Sequence, residues 1–239
     1  MTDMHSTTLG TGYKVLCLHG IGTNSDIFEA QTAALRYLVD PDSGWEFDFV
    51  DGAYPWPAHP AVAAVFGAEQ ACLSYFDGSA SSALAAIGDL ATHIVANGPF
   101  DCVMGFSMGG AMAATLLLEP YDPSLDSPNW IAARKMIRSA VFLCGTSPVD
   151  IAQLRQGKLD WVEDSLVGPG AKLNRIMIPT VHAWSSADTE KWAESFALGN
   201  MCLEETRTVV MHSAGHGVPC NRDEIQHLAN AIREMVGKL

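Results

Sequence analysis

Short runs of apolar and β-branched residues alternate along this chain with longer segments whose apolar residues recur at helical spacing. A chain of this kind folds into a parallel sheet covered by helices, because each crossover between parallel strands needs a helix-sized connection. Most of the runs are continuously apolar, as strands buried on both faces require. The sequence therefore predicts an α/β fold with one mostly parallel sheet of about six strands and helices on both faces. The predicted strands are Lys14–Leu18, Glu46–Val50, Phe100–Gly105, Ser139–Leu143, Pro179–Trp184 and Thr206–Met211.

Three stretches of the chain fit neither a strand nor a helix period: Gly52–Gly78, Glu119–Trp130 and Thr146–Arg175. Connections that leave the carboxyl ends of parallel strands frame the ligand crevice, so the first and third are predicted to form its walls and a small lid. The chain shows no repeat, and its length predicts a single domain over residues 1–239. The predicted helices are Ser25–Leu38, Ser81–Asn97, Met108–Leu118, Asp188–Phe196 and Arg222–Val236.

Charge and hydropathy limit the partners that this chain can take. The 27 acidic and 14 basic residues give a net charge of -13, which repels phosphate backbones and argues against nucleic acid. No apolar run approaches the roughly 20 residues that span a bilayer, and the first residues lack a signal-peptide pattern. We therefore expect a cytoplasmic protein without a membrane partner. Cys17, Cys102 and Cys144 lie inside apolar runs, which favours free buried thiols over disulfides.

The residues Gly105–Gly109 read Gly-Phe-Ser-Met-Gly, directly after a predicted strand and directly before a predicted helix. This is the G-x-S-x-G pattern in the strand-turn-helix context that gives it meaning. Glycines flank the serine because the sharp turn leaves no room for side chains on either side. The pattern predicts that Ser107 is a nucleophile presented above the carboxyl edge of the sheet.

A nucleophilic serine needs a base and an acid, which follow it along the chain in the order acid, then histidine. His216 stands between two glycines after the last predicted strand and is the predicted general base; His212, nearer the strand end, is the alternative. Asp188 leaves the preceding strand and is the predicted acid, although a helix cap is the ordinary role of aspartate there. Asp150, which leaves an earlier strand, is the rival acid.

Backbone amides are the expected oxyanion donors for such a serine. One is the amide after the nucleophile, Met108, and the other lies in the glycine-containing loop after the first strand, at Ile21. His19 in this loop is interpreted as a loop-bracing residue. No phosphate-loop motif and no histidine or cysteine pattern with metal-ligand spacing occurs, so neither a metal nor a cofactor is predicted.

The chain resembles the small α/β-hydrolases of the FSH-type serine hydrolase family, which includes fungal thioesterases that release polyketides such as those of the lovastatin and citrinin pathways. The resemblance covers nearly the whole chain and implies an α/β-hydrolase fold. Its catalytic residues fall on Ser107, Asp188 and His216. The sequence departs from the family pattern at Met108 and Ile21. The matching segments are Val15–Gly20, Gly22–Asn24, Phe49–Gly52, Tyr75–Asp77, Gly98–Asp101, Gly105–Ser107, Gly215–His216 and Val218–Pro219.

The resemblance implies an esterase or thioesterase, and aromatic residues in the irregular stretches suit an apolar acyl slot. Two basic residues of the predicted lid, Arg155 and Lys158, are hypothesised to meet an acidic acyl carrier protein or its phosphopantetheine phosphate, with ordinary solvated charges as the alternative. The predicted substrate-binding residues are Tyr54, Trp56, Tyr75, Phe76, Trp161 and Trp184.

Together these features predict a cofactor-free serine hydrolase that cleaves acyl thioesters or esters through an acyl-enzyme. A thioesterase releasing an acyl or polyketide product is the leading hypothesis. A carboxylesterase acting on small oxyesters uses the same machinery and is the close alternative. An inactive hydrolase fold that serves as a binding module is the alternative from another class.

Overall fold

The computed structural model describes residues 12–119, 124, 126–162 and 175–239. Six strands form one sheet in the order β2-β1-β5-β6-β7-β8, and every neighbouring pair is parallel. The remaining two strands, β3 and β4, pair antiparallel outside it. The predicted six-stranded sheet is confirmed. The strands are β1 (Lys14–Leu18), β2 (Glu46–Val50), β3 (Tyr54–Pro55), β4 (Leu73–Ser74), β5 (Cys102–Phe106), β6 (Ala140–Leu143), β7 (Thr180–Trp184) and β8 (Arg207–Met211).

Helices cover both faces of the sheet, as predicted. The pleat of β1 sends Val15 and Cys17 to the face covered by α1 and α8, and Leu16 and Leu18 to the face covered by α3, α4 and α5. Both faces are therefore buried, which explains the continuous apolar runs of the central strands. The helices are α1 (Ser25–Val39), α2 (Pro60–Phe66), α3 (Ala80–Asn97), α4 (Met108–Leu117), α5 (Pro128–Arg134), α6 (Ile151–Arg155), α7 (Trp192–Asn200) and α8 (Arg222–Val236).

Side-chain caps fix where several of these helices begin. The Asn24 side chain accepts the Ile27 amide proton before α1, and Ser79 accepts the Ser82 amide proton before α3. Asn221 caps α8 in the same way. Each cap satisfies an amide that would otherwise lack a partner in the first turn. Because these signals are local, the predicted starts of α1 and α8 are correct and that of α3 differs by one residue.

The irregular stretches contain more structure than their sequences indicate. The stretch Gly52–Gly78 contains β3, α2 and β4. Its two strands have two residues each, which is too short to show an alternating apolar pattern. The predicted helix Asp188–Phe196 is wrong in position, because α7 begins at Trp192. The Asp188 carboxylate accepts the amide protons of Glu190 and Lys191 and so forms a turn ahead of the helix.

The carboxyl ends of the six parallel strands lie at one edge of the sheet, and the candidate site is built there. The predicted lid Thr146–Arg175 contains α6, and its part from residue 163 to 174 lies outside the described residues. Among the residues that the structure describes, no helix combines the length and apolar character needed to cross a membrane.

Candidate active site

Ser107 lies in the tight turn between β5 and α4, and its φ of +49° is in the left-handed region that non-glycine residues rarely adopt. Positions 105 and 109 require glycine because backbone atoms of neighbouring segments lie too close to leave room for a Cβ. A Cβ at Gly109 would lie 2.1 Å from the Leu18 carbonyl oxygen, and one at Gly105 would lie 2.6 Å from the backbone of Gly109. The strained turn therefore presents the Ser107 hydroxyl at the carboxyl edge of the sheet.

The structure brings Ser107, His216 and Asp188 together in one hydrogen-bonded chain. The Nε2 atom of His216 lies 2.9 Å from Ser107 Oγ, and its Nδ1 atom lies 2.6 Å from Asp188 Oδ2. A carboxylate accepts only, so Nδ1 carries the proton and the Nε2 lone pair faces the serine hydroxyl. This arrangement suits proton transfer from the serine to the imidazole.

Asp188 is buried, with 2 % of its surface exposed, and uses both carboxylate oxygens. Oδ2 accepts from His216, while Oδ1 accepts the amide protons of Glu190 and Lys191. The turn before α7 thus fixes the carboxylate that orients the imidazole. The alternative role, a cap of the following helix, is not observed, because Lys191 is the N-cap of α7 and Asp188 closes the turn ahead of it.

The alternatives to the predicted acid and base, Asp150 and His212, make other hydrogen bonds. Asp150 caps α6, where its carboxylate accepts the amide protons of Ala152 and Gln153. His212 accepts the Ala214 amide proton at Nδ1, and its Nε2 atom lies 3.6 Å from the sulfur of Cys144. Neither is bonded to Ser107 or to the His216 ring.

Ile21 and Met108 line the same cavity as Ser107. Met108 is the first residue of α4, so its amide has no acceptor within the helix. Within the described part of the chain, the Ile21 amide also has no protein acceptor. Both amides are therefore available to a substrate oxygen, as an oxyanion hole requires.

His19 braces the loop that carries Ile21. Its Nδ1 atom donates to the Gly20 carbonyl at 2.7 Å, and its Nε2 atom accepts the Gly52 amide proton at 2.9 Å. The ring also stacks on Tyr75, with 4.8 Å between centroids. Burial lowers the pKa of His19, which keeps the ring neutral as this pair of bonds requires.

A cavity of about 480 Å³ lies beside Ser107. Its lining includes Ile21 and Met108 as well as residues of the predicted lid. Trp161 lines it, as its sequence context predicts. Of the lining residues that the structure describes, five were not predicted from the sequence. Two of these, Thr146 and Ser147, follow the end of β6, a position where cavity residues are expected. Lys191 and Glu194, from the start of α7, form an ion pair of 2.6 Å. Among the described residues, the lining consists of Ile21, Ser107, Met108, Thr146, Ser147, Trp161, Val162, Lys191 and Glu194.

The other predicted substrate-binding residues do not line this cavity. Tyr54 and Tyr75 line a different cavity of about 260 Å³ between the Gly52 loop and α3. Phe76 and Trp184 are buried, with 4 % and 7 % of their surfaces exposed, and Trp56 lies beside β3 at 37 % exposure. Tyr75 and Phe76 pack in the core cluster on the α3 side of the sheet, and Trp184 packs edge-on against Phe196 of α7.

Cys144 is a residue of the site that its sequence context assigned only to the core. Its sulfur and the donor atoms of Asp188 and His216 lie within 4.8 Å of one another, a set that could ligate a metal ion. A metal there would displace the bond between His216 and Asp188, and burial raises the pKa of the Cys144 thiol to about 12. The donor set therefore suits the hydrogen-bonded triad better than a metal centre.

The two basic residues proposed to meet a carrier protein lie on and after α6. Lys158 forms an ion pair of 2.6 Å with Asp160, and the Arg155 guanidinium lies 5.9 Å from the centre of the Trp130 ring. Contact with a carrier protein stays a prediction.

Known proteins are similar to this chain in sequence or in fold. The "Esterase FPY3" of Fusarium mangiferae is 32% identical over 227 residues, which cover 94% of this chain and 97% of that protein. The "Esterase pigG" of Monascus ruber is 26% identical and covers 93% of this chain and 90% of its own. The Mesorhizobium loti carboxylesterase structure shares the fold at a TM-score of 0.58 and 15% identity, covering 95% of this chain and 89% of that chain.

A family model described as "Serine hydrolase (FSH1)" matches residues 8–228. This match spans most of the chain and includes every residue of the hydrogen-bonded triad. With fold, site geometry and family in agreement, the chain belongs to the FSH1 family and is a serine hydrolase.

Proposed function

We propose that this serine hydrolase cleaves acyl thioesters through an acyl-enzyme on Ser107 and releases an acyl or polyketide product. The observation that carries the proposal is the Ser107 hydroxyl, which is bonded to His216 and also faces a cavity of about 480 Å³. Ile21, Met108, Trp161 and Val162 give this cavity apolar walls that suit an acyl chain.

In the first half of the reaction, His216 Nε2 takes the hydroxyl proton as Ser107 Oγ bonds to the substrate carbonyl carbon. The carbonyl electron pair moves to its oxygen, which the amides of Ile21 and Met108 stabilise. Collapse of this intermediate breaks the carbon-sulfur bond, and His216 returns its proton to the departing thiolate. Asp188 stabilises the transient imidazolium.

The second half repeats these steps with water. His216 takes a proton from water as its oxygen bonds to the acyl carbon, and the oxyanion again faces the two amides. Collapse breaks the bond to Ser107 Oγ, which recovers its proton from His216. The carboxylic acid product leaves and the free enzyme is restored, so the cycle converts one thioester and one water into an acid and a thiol and needs no cofactor.

Hydrolysis of small oxyesters is the second candidate, because the two related fungal proteins carry the name esterase. The same residues would perform it, with an alkoxide in place of the thiolate. An alkoxide is the poorer leaving group and depends more strongly on proton donation by His216. The leaving group therefore separates the two candidates.

The test is turnover by wild-type protein and Ser107→Ala on pairs of thioesters and oxyesters that share one acyl chain, over increasing chain length. We expect the variant to lose at least about a thousandfold in kcat. A thioester preference of more than about tenfold in kcat/KM, growing with chain length, supports the proposal. Preference for short oxyesters would replace it with the second candidate. Absence of Ser107-dependent turnover across the panel would contradict both.

A further inference from the structure

Cys144 follows β6 directly and is fully buried, with 0 % of its surface exposed. Its φ of +45° lies in the left-handed region, as does that of Ser107 at the end of the neighbouring strand β5. A cysteine in this conformation is strained, and such strain persists where the surroundings over-determine it, often at functional sites. Here the Cys144 amide donates to the Ala183 carbonyl at 2.7 Å, which holds the residue between β6 and β7.

The strained backbone directs the thiol at the loop that carries His216. The sulfur lies 3.5 Å from the carbonyl oxygen of Gly217 and 3.7 Å from that of Gly215. These two glycines flank His216 on either side. Glycine gives the backbone conformational freedom on each side of His216, so a thiol that contacts both neighbouring carbonyls restricts the position of the imidazole.

His212 completes the contact from the other side of the sulfur. Because His212 Nδ1 accepts the Ala214 amide proton, the neutral ring carries its proton on Nε2 and donates to the Cys144 sulfur at 3.6 Å. Burial lowers the pKa of His212 and so favours this neutral form. The sulfur thus accepts from His212, and its single proton donates to the Gly217 carbonyl, the nearer of the two carbonyls beside His216.

We propose that Cys144 is a positioning residue for the proposed reaction, and that its thiol holds the His216 loop so that the imidazole stays between Ser107 and Asp188. The inference rests on the proposed function, because it concerns the same triad. A reactive role for the thiol is disfavoured, since burial raises its pKa to about 12.

The experiment compares Cys144→Ala and Cys144→Gly with Cys102→Ala. Cys102 is a matched control: it is 1 % exposed, its thiol also has a pKa raised to about 12, and its sulfur contacts the carbonyl of adjacent Val103 rather than the His216 loop. Cys144→Gly removes the thiol while relieving the left-handed strain. For each variant, kcat, KM and thermal unfolding are measured, together with the proton NMR resonance of the His216 Nδ1–H group.

Both Cys144 variants should lower kcat about tenfold and leave KM within about twofold, because loosening of the imidazole affects the chemical step. Their Nδ1–H resonance should broaden through faster exchange with solvent. Cys102→Ala should lower the thermal stability while retaining the wild-type kcat and resonance. Cys144→Gly should unfold at a temperature no lower than that of Cys144→Ala.

Retention of the wild-type kcat and resonance by both Cys144 variants would overturn the proposal, and so would an equal loss in Cys102→Ala. The resonance is read without any substrate. It therefore tests the positioning role even if the wild-type protein shows no Ser107-dependent turnover, an outcome that would contradict the proposed function alone.

Discussion

At the scale of single residues, the site depends on side chains that make two kinds of contact at once. Asp188 bonds the His216 ring with one oxygen and two backbone amides with the other. His19 in the same way bonds the backbone of both Gly20 and Gly52. Each side chain is therefore held by the loop that it organises, and this removes the freedom that a solvated group would have.

Asp188→Asn separates the two roles of this carboxylate. The amide oxygen can still accept from Glu190 and Lys191, but the side-chain NH₂ then faces Nδ1–H and forces His216 into the tautomer that cannot accept the Ser107 proton. We expect kcat to fall by about a thousandfold or more, with a melting temperature within a few degrees of wild type. Steady-state kinetics and thermal unfolding check this, and a kcat within tenfold of wild type would contradict it.

Trp161 and Trp56 form a matched pair for the acyl cavity, with 38 % and 37 % of their surfaces exposed. Trp161 lines the cavity beside Ser107, whereas Trp56 lies next to β3. Trp161→Ala should lower kcat/KM for long acyl chains about tenfold and change that for acetyl substrates little. Trp56→Ala should leave the chain-length profile unchanged. Equal effects of the two substitutions would remove Trp161 from the acyl-binding wall.

At the scale of elements, the approach of α4 to β1 sets the position of the nucleophile. The backbone of Gly109 in α4 lies so close to the Leu18 and His19 carbonyls that a Cβ there would come within 2.1 Å of an oxygen. Gly105 makes a similar approach to the first turn of α4. The pattern around Ser107 is thus a packing requirement between a strand and a helix.

Two glycine-to-alanine substitutions in helices should have opposite effects. Gly88 in α3 has open space where a Cβ would lie, so Gly88→Ala should stabilise the protein by about 0.5–1 kcal/mol through helix propensity. Gly109→Ala should destabilise it by more than about 3 kcal/mol, because backbone oxygens cannot move aside cheaply. Urea unfolding measures both, and a neutral Gly109→Ala would refute the packing requirement.

At the scale of the whole molecule, the sheet buries histidines that must stay neutral. His182 in β7 lies between Phe142 and Trp184, with its Nε2 atom 3.1 Å from Thr180 Oγ1. Burial, aided by the charge of Arg207, lowers the pKa of His182 to about 3. Burial likewise lowers the pKa of His19 and His212. The unfolded chain therefore binds protons below pH 6.5 that the folded chain excludes.

It follows that stability is lost as the pH falls below about 6.5, at up to about 1.4 kcal/mol per pH unit for His182 alone. His182→Gln keeps a partner for Thr180 and removes this titration. Between pH 6.5 and pH 5 the variant should lose less free energy of unfolding than wild type, by up to about 2 kcal/mol. Urea unfolding at both pH values tests this, because most carboxyl groups titrate below pH 5. Parallel pH dependences would contradict it.

What the sequence by itself determined was local: the six strands, the helix starts at Ser25 and Arg222, and the strand-turn-helix context of Ser107. These features depend on hydrogen bonds and apolar periodicity among residues close in sequence, so a short segment is enough to predict them. Ser107, Asp188 and His216 were candidates because each follows the end of a strand, and parallel strands bring such ends to one edge.

Only the tertiary structure decided which side chains reach the cavity and which support the triad. Trp161 lines the cavity beside Ser107, whereas Tyr54 and Tyr75 line the smaller cavity beside α3. The short strands β3 and β4, which lie in an aperiodic stretch, place these two tyrosines there. Cys144 contacts carbonyls 71 and 73 residues further along the chain. Such contacts depend on how separate segments pack, and no local pattern encodes that packing.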